Sequence, residues 1–121
     1  AIHYGSDSCN FGACCNSITV NNQFCYRANC METSRVLVKA LNIPEGKYTS
    51  AFQSRLDNKW LKPYSDKVVE ELAKSGKKKV LVFSPAFVAD CLETIYEIGT
   101  EYQHTVVTAG LDLGHGRENA Q

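Results

Sequence analysis

The sequence predicts an α/β fold, a doubly wound three-layer domain built on a parallel sheet. From residue 35 to residue 102 the apolar patterns alternate in the order helix, strand, helix, strand, helix, which is the repeating unit of such domains. Val80–Phe83 is a short continuous apolar run, typical of a parallel strand that is covered on both faces. Ligands of doubly wound domains bind beyond the carboxyl ends of the strands, so we expect a site there.

The first predicted helix and strand follow the cysteine-rich start of the chain. Apolar residues recur at helical spacing over residues 35–41, and Asn42 and Pro44 end the pattern. Residues 48–54 then have the composition of a strand. Residues 55–63 form a predicted loop, which carries the one tryptophan of the chain, Trp60.

The second half of the pattern has clearer boundaries. Ser65 is a suitable N-cap for the second helix, and Gly76 is a suitable stop at its C-terminal end. The strand Val80–Phe83 is broken by Ser84–Pro85, and a third helix is predicted from about Val88 to Tyr102. The buried side of the second helix would consist of Val68, Val69, Leu72 and Ala73.

Two serines would lie on one rim of the sheet, because Ser54 and Ser84 each follow a predicted strand. Thr105–Val107 is expected to begin a further strand. The glycine-containing tail beyond it has no clear assignment.

Composition excludes several classes of protein. The 13 basic and 13 acidic residues cancel, so the chain lacks the positive field of a nucleic-acid-binding protein. Its longest apolar runs are too short to span a bilayer, so we expect a cytoplasmic location with at most peripheral membrane contact. The chain starts without methionine or a signal peptide, and we therefore expect it to be a piece of a longer polypeptide.

The third predicted helix carries a row of carboxylates, Glu93, Glu97 and Glu101, which we call the carboxylate row. At a spacing of four residues each is displaced by about 40° from the one before, so the three share one face of an α-helix. A solvated polar face is the simplest interpretation. However, like charges at this spacing repel by about 0.2–0.5 kcal/mol per pair, and no basic residue within the helix offsets them. The row is therefore a candidate for handling protons or a cation. The face opposite it, expected to pack on the sheet, consists of Cys91, Leu92, Ile95, Tyr96, Ile98 and Tyr102.

Five of the six cysteines lie between residues 9 and 30, which we call the cysteine segment. Such clustering favours metal binding over a disulfide framework. The spacing Cys-x4-Cys-Cys-x9-Cys-x4-Cys supplies four ligands with one to spare, and it matches neither the usual zinc pairs nor a standard ferredoxin pattern. We accordingly divide the chain into a cysteine-rich metal-binding part, residues 1–30, and an α/β domain, residues 31–121. The predicted ligands are Cys9, Cys14, Cys25 and Cys30, with Cys15 as the alternative to Cys14.

Four stretches resemble the second half of protoheme ferrochelatases in their order and spacing, and the resemblance extends over about residues 25–103. It implies a chelatase-like fold in which this α/β domain is the truncated C-terminal half of a two-domain protein, with the porphyrin held between the halves. It also implies that the substrates are protoporphyrin IX and Fe²⁺. The four stretches are Phe52–Arg55, Trp60–Asp66, Pro85–Thr94 and the pair Tyr96–Ile98 with Glu101–Tyr102.

The same resemblance assigns roles to the carboxylate row. Glu93 matches the active-site carboxylate of the family, and Glu97 and Glu101 match an acidic path for protons or metal. Burial in an apolar cleft is expected to raise the pKa of Glu93. Residues at the end of the first predicted strand and in the loop after it would contact the porphyrin, namely Gln53, Ser54 and Trp60.

Two departures from the family pattern limit the resemblance. No His-Gly-x-Pro motif is present, and His3 does not replace it, so a missing N-terminal ferrochelatase domain is an expected partner and the fragment alone is expected to be inactive. The loop after Arg55 is shorter than usual and lacks its glycine. Cys91 stands where some members have histidine and others cysteine, and we interpret it as a small buried side chain.

Some bacterial ferrochelatases have a cysteine-rich segment before a Cys-Tyr-Arg-x-x-Cys stretch, which Cys25–Cys30 resembles. That resemblance implies a [2Fe–2S] cluster. Zinc is the alternative, and unligated or disulfide-bonded cysteines are a further one. Two other functions stay open, a metal-binding module without catalysis and a cobalt or nickel tetrapyrrole chelatase.

Overall fold

The computed structural model describes residues 9, 12–53, 58–87, 89–102 and 112–115, the last four by their backbone. The chain forms two compact units, Ala1–Pro63 and Tyr64–Gln121. The division falls inside the range that the sequence analysis treats as one α/β domain, and the boundary after residue 30 stays a prediction.

The first unit is organised around helix α1, Tyr26–Ala40, which a short 3-10 helix, Ala13–Cys15, precedes. Helix α1 begins well before the apolar pattern at residue 35, since its first half is polar and helical periodicity does not reveal it. Hydroxyl groups there bond back within the helix: Thr33 Oγ1 donates to the Asn29 carbonyl at 2.9 Å. The helix ends where predicted, because Asn42 adopts a left-handed conformation with φ of 52°.

The strand predicted over residues 48–54 is wrong for the part that the structure describes, residues 48–53, which contains no strand. One backbone hydrogen bond remains, from the Phe52 amide to the Pro63 carbonyl at 2.8 Å. Because proline has no N–H, Pro63 cannot return a bond, and a ladder cannot extend through it. Phe52 is nevertheless buried, at 9% exposure, so this apolar residue packs in the interior without belonging to a strand.

The second unit begins with helix α2, Ser65–Lys74, as the sequence predicts. Tyr64 occupies the N-cap position, so Ser65 is the first helical residue rather than the cap. Gly76 ends the helix with φ of 77°, a conformation that a side chain disfavours. Val69 and Ala73 are buried.

Strand β1, Lys79–Val82, pairs in parallel with strand β2, Asp112–His115, in a register that aligns Lys79 with Asp112. Strand β2 was not predicted, because the glycines around it interrupt the apolar pattern. The expectation that β1 is covered on both faces is wrong among the described residues. Val80 and Val82 pack against the core, whereas Leu81 between them is 73% exposed. The strand predicted at residues 105–107 lies outside the described residues.

The third helix is a π-helix, Glu93–Tyr102, and it begins five residues later than predicted. Thr94 fixes its start, because its hydroxyl oxygen accepts the Cys91 amide at 2.9 Å. The core of the second unit lies between this helix, α2 and β1, and it contains Val69, Ala73, Ile98 and Tyr102. Among the described residues no helix is long and apolar enough to cross a membrane.

Ile98 and Ile95 on the π-helix provide a matched test of this core. Ile98 is 7% exposed and Ile95 is 54% exposed. We expect Ile98→Ala to lower the free energy of unfolding by about 2–5 kcal/mol, because it leaves a cavity. The control Ile95→Ala should change it by less than about 0.5 kcal/mol. Urea denaturation followed by circular dichroism measures both, and equal losses would show that Ile98 is not a core residue.

Candidate functional site

The carboxylate row lies on the π-helix, with Glu93 and Glu97 half-buried and Glu101 exposed. The i to i+5 hydrogen bonds of a π-helix widen the turn, so a spacing of four residues is still close to one turn. The three carboxylates therefore remain on one side of the helix. Helices of this kind are rare and often occur at functional sites.

The apolar face predicted opposite the row is only partly correct. Ile98 and Tyr102 are buried, but Leu92, Ile95 and Tyr96 are 71%, 54% and 52% exposed. The prediction assumed the turn of an α-helix. The wider turn of a π-helix increases the angle between residues three apart, so Ile98 does not share its side with Ile95, whereas Ile98 and Tyr102, four apart, are buried together.

The pKa of the Glu93 carboxyl is lowered, first by a hydrogen bond from the Cys91 side chain and then by its own backbone amide. This direction is opposite to the one expected from burial in an apolar cleft. Cys91, interpreted from sequence as packing, thus contacts the carboxylate predicted to be catalytic. The hydrogen bond therefore favours the ionised form of Glu93, and the lowered pKa makes this carboxylate a weaker proton acceptor than a free one.

An open cavity of about 600 Å³ lies beside the C-terminal end of the row, in the second unit. Tyr102 lines this cavity. Burial and the nearby charges of Asp66, Glu97 and Glu101 raise the pKa of Tyr102 to about 12, although a hydrogen bond with Ser65 lowers it. The other lining residues are Asp66, Val69, Glu70, Tyr96, Thr100 and Glu101.

Glu70, on the rim of this cavity, belongs to a separate ion-pair cluster. Its carboxylate accepts from Lys74 Nζ at 2.6 Å and from Lys67 Nζ at 3.1 Å. These lysines hold the pKa of Glu70 at about 2. The negative field at Tyr102 therefore comes from Asp66 and the carboxylate row. Asp66 was not identified from the sequence as part of the site, since it is a typical first-turn acid of a helix.

The cysteine segment lies in the first unit, and several of its thiols are neighbours. Cys14 Sγ and Cys9 Sγ are 4.0 Å apart, and the Cys14 thiol also interacts with the thiol of Cys15. Two thiolates bound tetrahedrally to one ion at about 2.3 Å would be about 3.8 Å apart, a value close to the Cys9–Cys14 separation. Cys25 and Cys30 are close enough for the first to help raise the pKa of the second, although burial is the larger cause. Among the described residues, no three histidine, cysteine or acidic side chains are gathered as a metal site.

Cys15 differs from the other cysteines of the segment. It is 3% exposed, and burial raises the pKa of its thiol, although the neighbouring Arg27 lowers it. Arg27 also interacts with residues outside the cysteine segment. Its Nε donates to the Lys62 carbonyl at 3.4 Å, and its guanidinium lies 6.0 Å from the centre of the Phe52 ring. Sequence reasoning missed Arg27; its position between Cys25 and Cys30 was the available signal.

The residues predicted to contact a porphyrin lie in the first unit. Gln53 and Trp60 are both half-buried, and Ser54 lies outside the described residues. The carboxylate row lies in the second unit. The structure thus assigns the two groups of predicted site residues to separate units.

The described residues thus include a helix with a row of carboxylates beside parallel strands in the second unit, as in an α/β protein, and a thiol-rich segment in the first unit. A sequence profile of the ferrochelatase family matches residues 13–115, and the chain belongs to that family.

Individual ferrochelatases agree with the family match. The chain is 46% identical over 107 residues to the ferrochelatase of Coxiella burnetii (strain RSA 493 / Nine Mile phase I), covering 84% of this chain and 30% of the relative. It is 46% identical over 99 residues to that of Pseudomonas putida (strain KT2440), covering 80% and 29%. With the ferrochelatase of Pseudomonas fluorescens (strain Pf0-1) the identity is 44% over 102 residues, covering 84% and 30%. The chain thus spans about 30% of the length of the relatives it matches. No solved structure matches it.

The pKa of Tyr102 offers a direct test of the field at the carboxylate row. Its folded value of about 12 exceeds the ordinary 10.0, so its contribution to stability is present below pH 10 and is lost as the pH rises toward 12. We expect Glu101→Gln to lower the pKa of Tyr102, because it removes a negative neighbour. Titration of the tyrosine ring carbons by NMR measures this, with Tyr102→Phe identifying the resonance. An unchanged pKa in Glu101→Gln would place Glu101 too far away to act on Tyr102.

Proposed function

We propose that this chain forms part of a ferrochelatase, which inserts Fe²⁺ into protoporphyrin IX in heme biosynthesis, and that the 121 residues alone are inactive. The observation that carries the proposal is the carboxylate row, with Glu93 held ionised, within the region that matches the family. The chain spans about 30% of its relatives, so the remaining functional groups, including a catalytic histidine, would come from a missing N-terminal domain.

The chemistry requires two protons to leave the pyrrole nitrogens and the Fe²⁺ ion to exchange its water for those nitrogens. Glu93 would accept a proton, and Glu97 and Glu101 would pass protons outward or guide Fe²⁺ inward. Carboxylate oxygens suit both tasks, because they are bases and ligands for divalent ions. A bound apolar macrocycle would exclude water from Glu93 and raise its pKa toward the range of an effective base.

The porphyrin would be held against the first unit by Gln53, Ser54 and Trp60. The half-buried indole of Trp60 offers a large apolar surface for a flat macrocycle. The complete domain would be the doubly wound parallel α/β arrangement, of which the β1–β2 pair and helix α2 form part. Such a protein would be cytoplasmic, with at most peripheral membrane contact and no nucleic-acid partner, as the balanced charge favours.

We also propose that the cysteine segment holds a [2Fe–2S] cluster, with zinc as the alternative. The ligands would be Cys9 and Cys14 as one pair and Cys25 and Cys30 as the other, with Cys15 as the alternative to Cys14. The sulfur separation in the first pair supports this proposal, and the second pair would have to approach it on binding. A bound metal would crosslink the segment. Its role would be structural or regulatory, because porphyrin metalation transfers no electrons.

Glu93→Gln tests the proton-accepting role. In the full polypeptide we expect kcat for Fe²⁺ insertion to fall by about 10²–10⁴-fold, because an amide cannot accept the pyrrole proton. The affinity for protoporphyrin, measured from the shift of its absorption band, should stay within a factor of about two, since no bond to the macrocycle is lost. Glu71→Gln, on the exposed side of helix α2, is the matched control. Equal activity of the two variants would exclude Glu93 as the base, whereas a wild-type protein that neither binds nor metalates porphyrin would indicate a metal module without catalysis.

Elemental analysis tests the cofactor. Anaerobically purified protein should be red-brown and contain iron and acid-labile sulfide in nearly equal amounts, with four thiolates protected from alkylation. A colourless protein with one zinc per chain would identify the alternative, and a protein without metal would contradict both.

A further inference from the structure

Thr94 directly follows the proposed base, Glu93, at the start of the π-helix. Its hydroxyl group contacts two residues that precede Glu93. The hydroxyl oxygen accepts the Cys91 amide at 2.9 Å, and its proton is within reach of the Cys91 carbonyl at 3.1 Å and of the Asp90 carboxylate at 3.3 Å. One side chain therefore closes the turn on which Glu93 lies.

The helix itself holds the other backbone group of Cys91. The Ile95 amide donates to the Cys91 carbonyl at 3.0 Å, while the Cys91 amide has its partner in Thr94. A side chain that bonds back to an amide three residues earlier resembles the arrangement in a capping box, and it satisfies a donor that the helix leaves without a partner. Both backbone groups of Cys91 are thus engaged.

The side chain of Cys91 acts on Glu93. Its thiol forms a hydrogen bond with the half-buried Glu93 carboxylate and lowers the pKa of that carboxyl. A thiol is a weak donor, so this bond orients the carboxylate only while the backbone of Cys91 keeps its place. The hydroxyl of Thr94 is the side-chain group that fixes that backbone.

We propose that Thr94 is a positioning residue for Glu93: its hydroxyl fixes the backbone of Cys91, and the thiol of Cys91 then orients the Glu93 carboxylate. The inference rests on the proposed function and deepens it, because it concerns the group proposed to accept the pyrrole proton. A base must lie within hydrogen-bond reach of the proton that it removes, so a change in its orientation lowers the rate without weakening substrate binding.

Thr94→Val removes the hydroxyl and keeps the shape of the side chain. In the full polypeptide we expect kcat for Fe²⁺ insertion to fall by about 10–100-fold, since a displacement of about 1 Å can cost 10²-fold in rate. KM for protoporphyrin should stay within a factor of about two. Thr94→Ser retains the hydroxyl and should keep kcat close to the wild-type value.

Thr33→Val is the matched control for Thr94→Val. The Thr33 hydroxyl also bonds a carbonyl, that of Asn29 at 2.9 Å, but within helix α1 of the first unit. The same substitution at this position should leave kcat unchanged. A fall in kcat as large as that of Thr94→Val would show that loss of a helix hydroxyl, and not of the Thr94 contacts, lowers the rate, and would overturn the proposal.

The pH dependence of kcat/KM distinguishes orientation from basicity. Without the Cys91 hydrogen bond the pKa of Glu93 should rise, so the acid limb of the profile should move to higher pH in Thr94→Val but not in Thr94→Ser. A raised pKa alone would make Glu93 a stronger base, so a fall in kcat together with this shift identifies a loss of orientation. The acidic groups on either side, Asp90 and Glu97, are unchanged in every variant.

A double-mutant cycle tests whether Thr94 acts through Glu93. In the Glu93→Gln background Thr94→Val should lower kcat further by less than about twofold, because the group that Thr94 positions is already lost. The same loss in both backgrounds would overturn the proposal and show that Thr94 only supports the fold. Far-UV circular dichroism and Tm check that each variant folds.

A second pair of variants carries the test if Thr94→Val does not fold. Cys91→Ala removes the donor to Glu93 and leaves the backbone bonds to Thr94 in place, whereas Cys91→Ser keeps a donor at the same position. We expect the fall in kcat and the shift of the acid limb in Cys91→Ala but not in Cys91→Ser. An unchanged rate and profile in Cys91→Ala would overturn the proposal.

The results separate the positioning role from the proposed function. Wild-type kcat and an unmoved acid limb in Thr94→Val, with a large loss in Glu93→Gln, would overturn the role of Thr94 and leave Glu93 as the base. Full activity of Glu93→Gln would contradict the proposed base, and the role of Thr94 with it.

Discussion

The first unit depends on the arginines of helix α1. The segments on either side of this helix contain little regular structure, so side chains of α1 must hold them. Arg35 binds the carbonyl of Cys15 while its Nε donates to Glu32 at 2.8 Å, and that pairing keeps the guanidinium pointed toward the cysteine segment. Arg27 contacts the Cys15 thiol, the Phe52 ring and the Lys62 carbonyl. One side chain therefore joins the thiol-bearing segment to the segment that carries Gln53 and Trp60.

The second unit contains two groups of charged residues, the ion pairs of Glu70 on helix α2 and the carboxylate row on the π-helix. Lys67 and Lys74 are both engaged with Glu70, one turn away on the same side of α2. Glu97, Glu101 and Asp66 raise the pKa of Tyr102 together, so a negative field persists at that end of the π-helix. At the other end a hydrogen bond from Cys91 lowers the pKa of Glu93. Acidic side chains thus lie along the whole π-helix, and the lysines of α2 that pair with Glu70 are engaged elsewhere.

How much could be predicted from sequence differs between the elements. Helix α2 and its stop at Gly76 were predictable, because an apolar stripe and a glycine stop act locally and agree with each other, although Ser65 is the first helical residue and not the predicted cap. Strand β2 and the exposure of Leu81 were not, since both depend on pairing and covering by distant parts of the chain. The row Glu93–Glu101 was identified from its spacing, but the π-helical turn, which decides which apolar residues are buried, leaves no clear signal in composition. Likewise, spacing identified the cysteine segment, whereas the burial of Cys15, at 3% exposure, depends on packing that spacing does not reveal.

The exposure of Leu81 on strand β1 has a consequence for the behaviour of the chain in solution. Leu81 is 73% exposed, and Phe83, just past the end of the strand, is 70% exposed. Among the described residues β1 is paired on one side only, and exposed apolar side chains on such a short strand promote pairing with other copies and, at higher concentration, aggregation. The 121 residues should therefore aggregate more readily as the protein concentration rises. A charged residue at position 81 should reduce this aggregation without disturbing the core against which Val80 and Val82 pack.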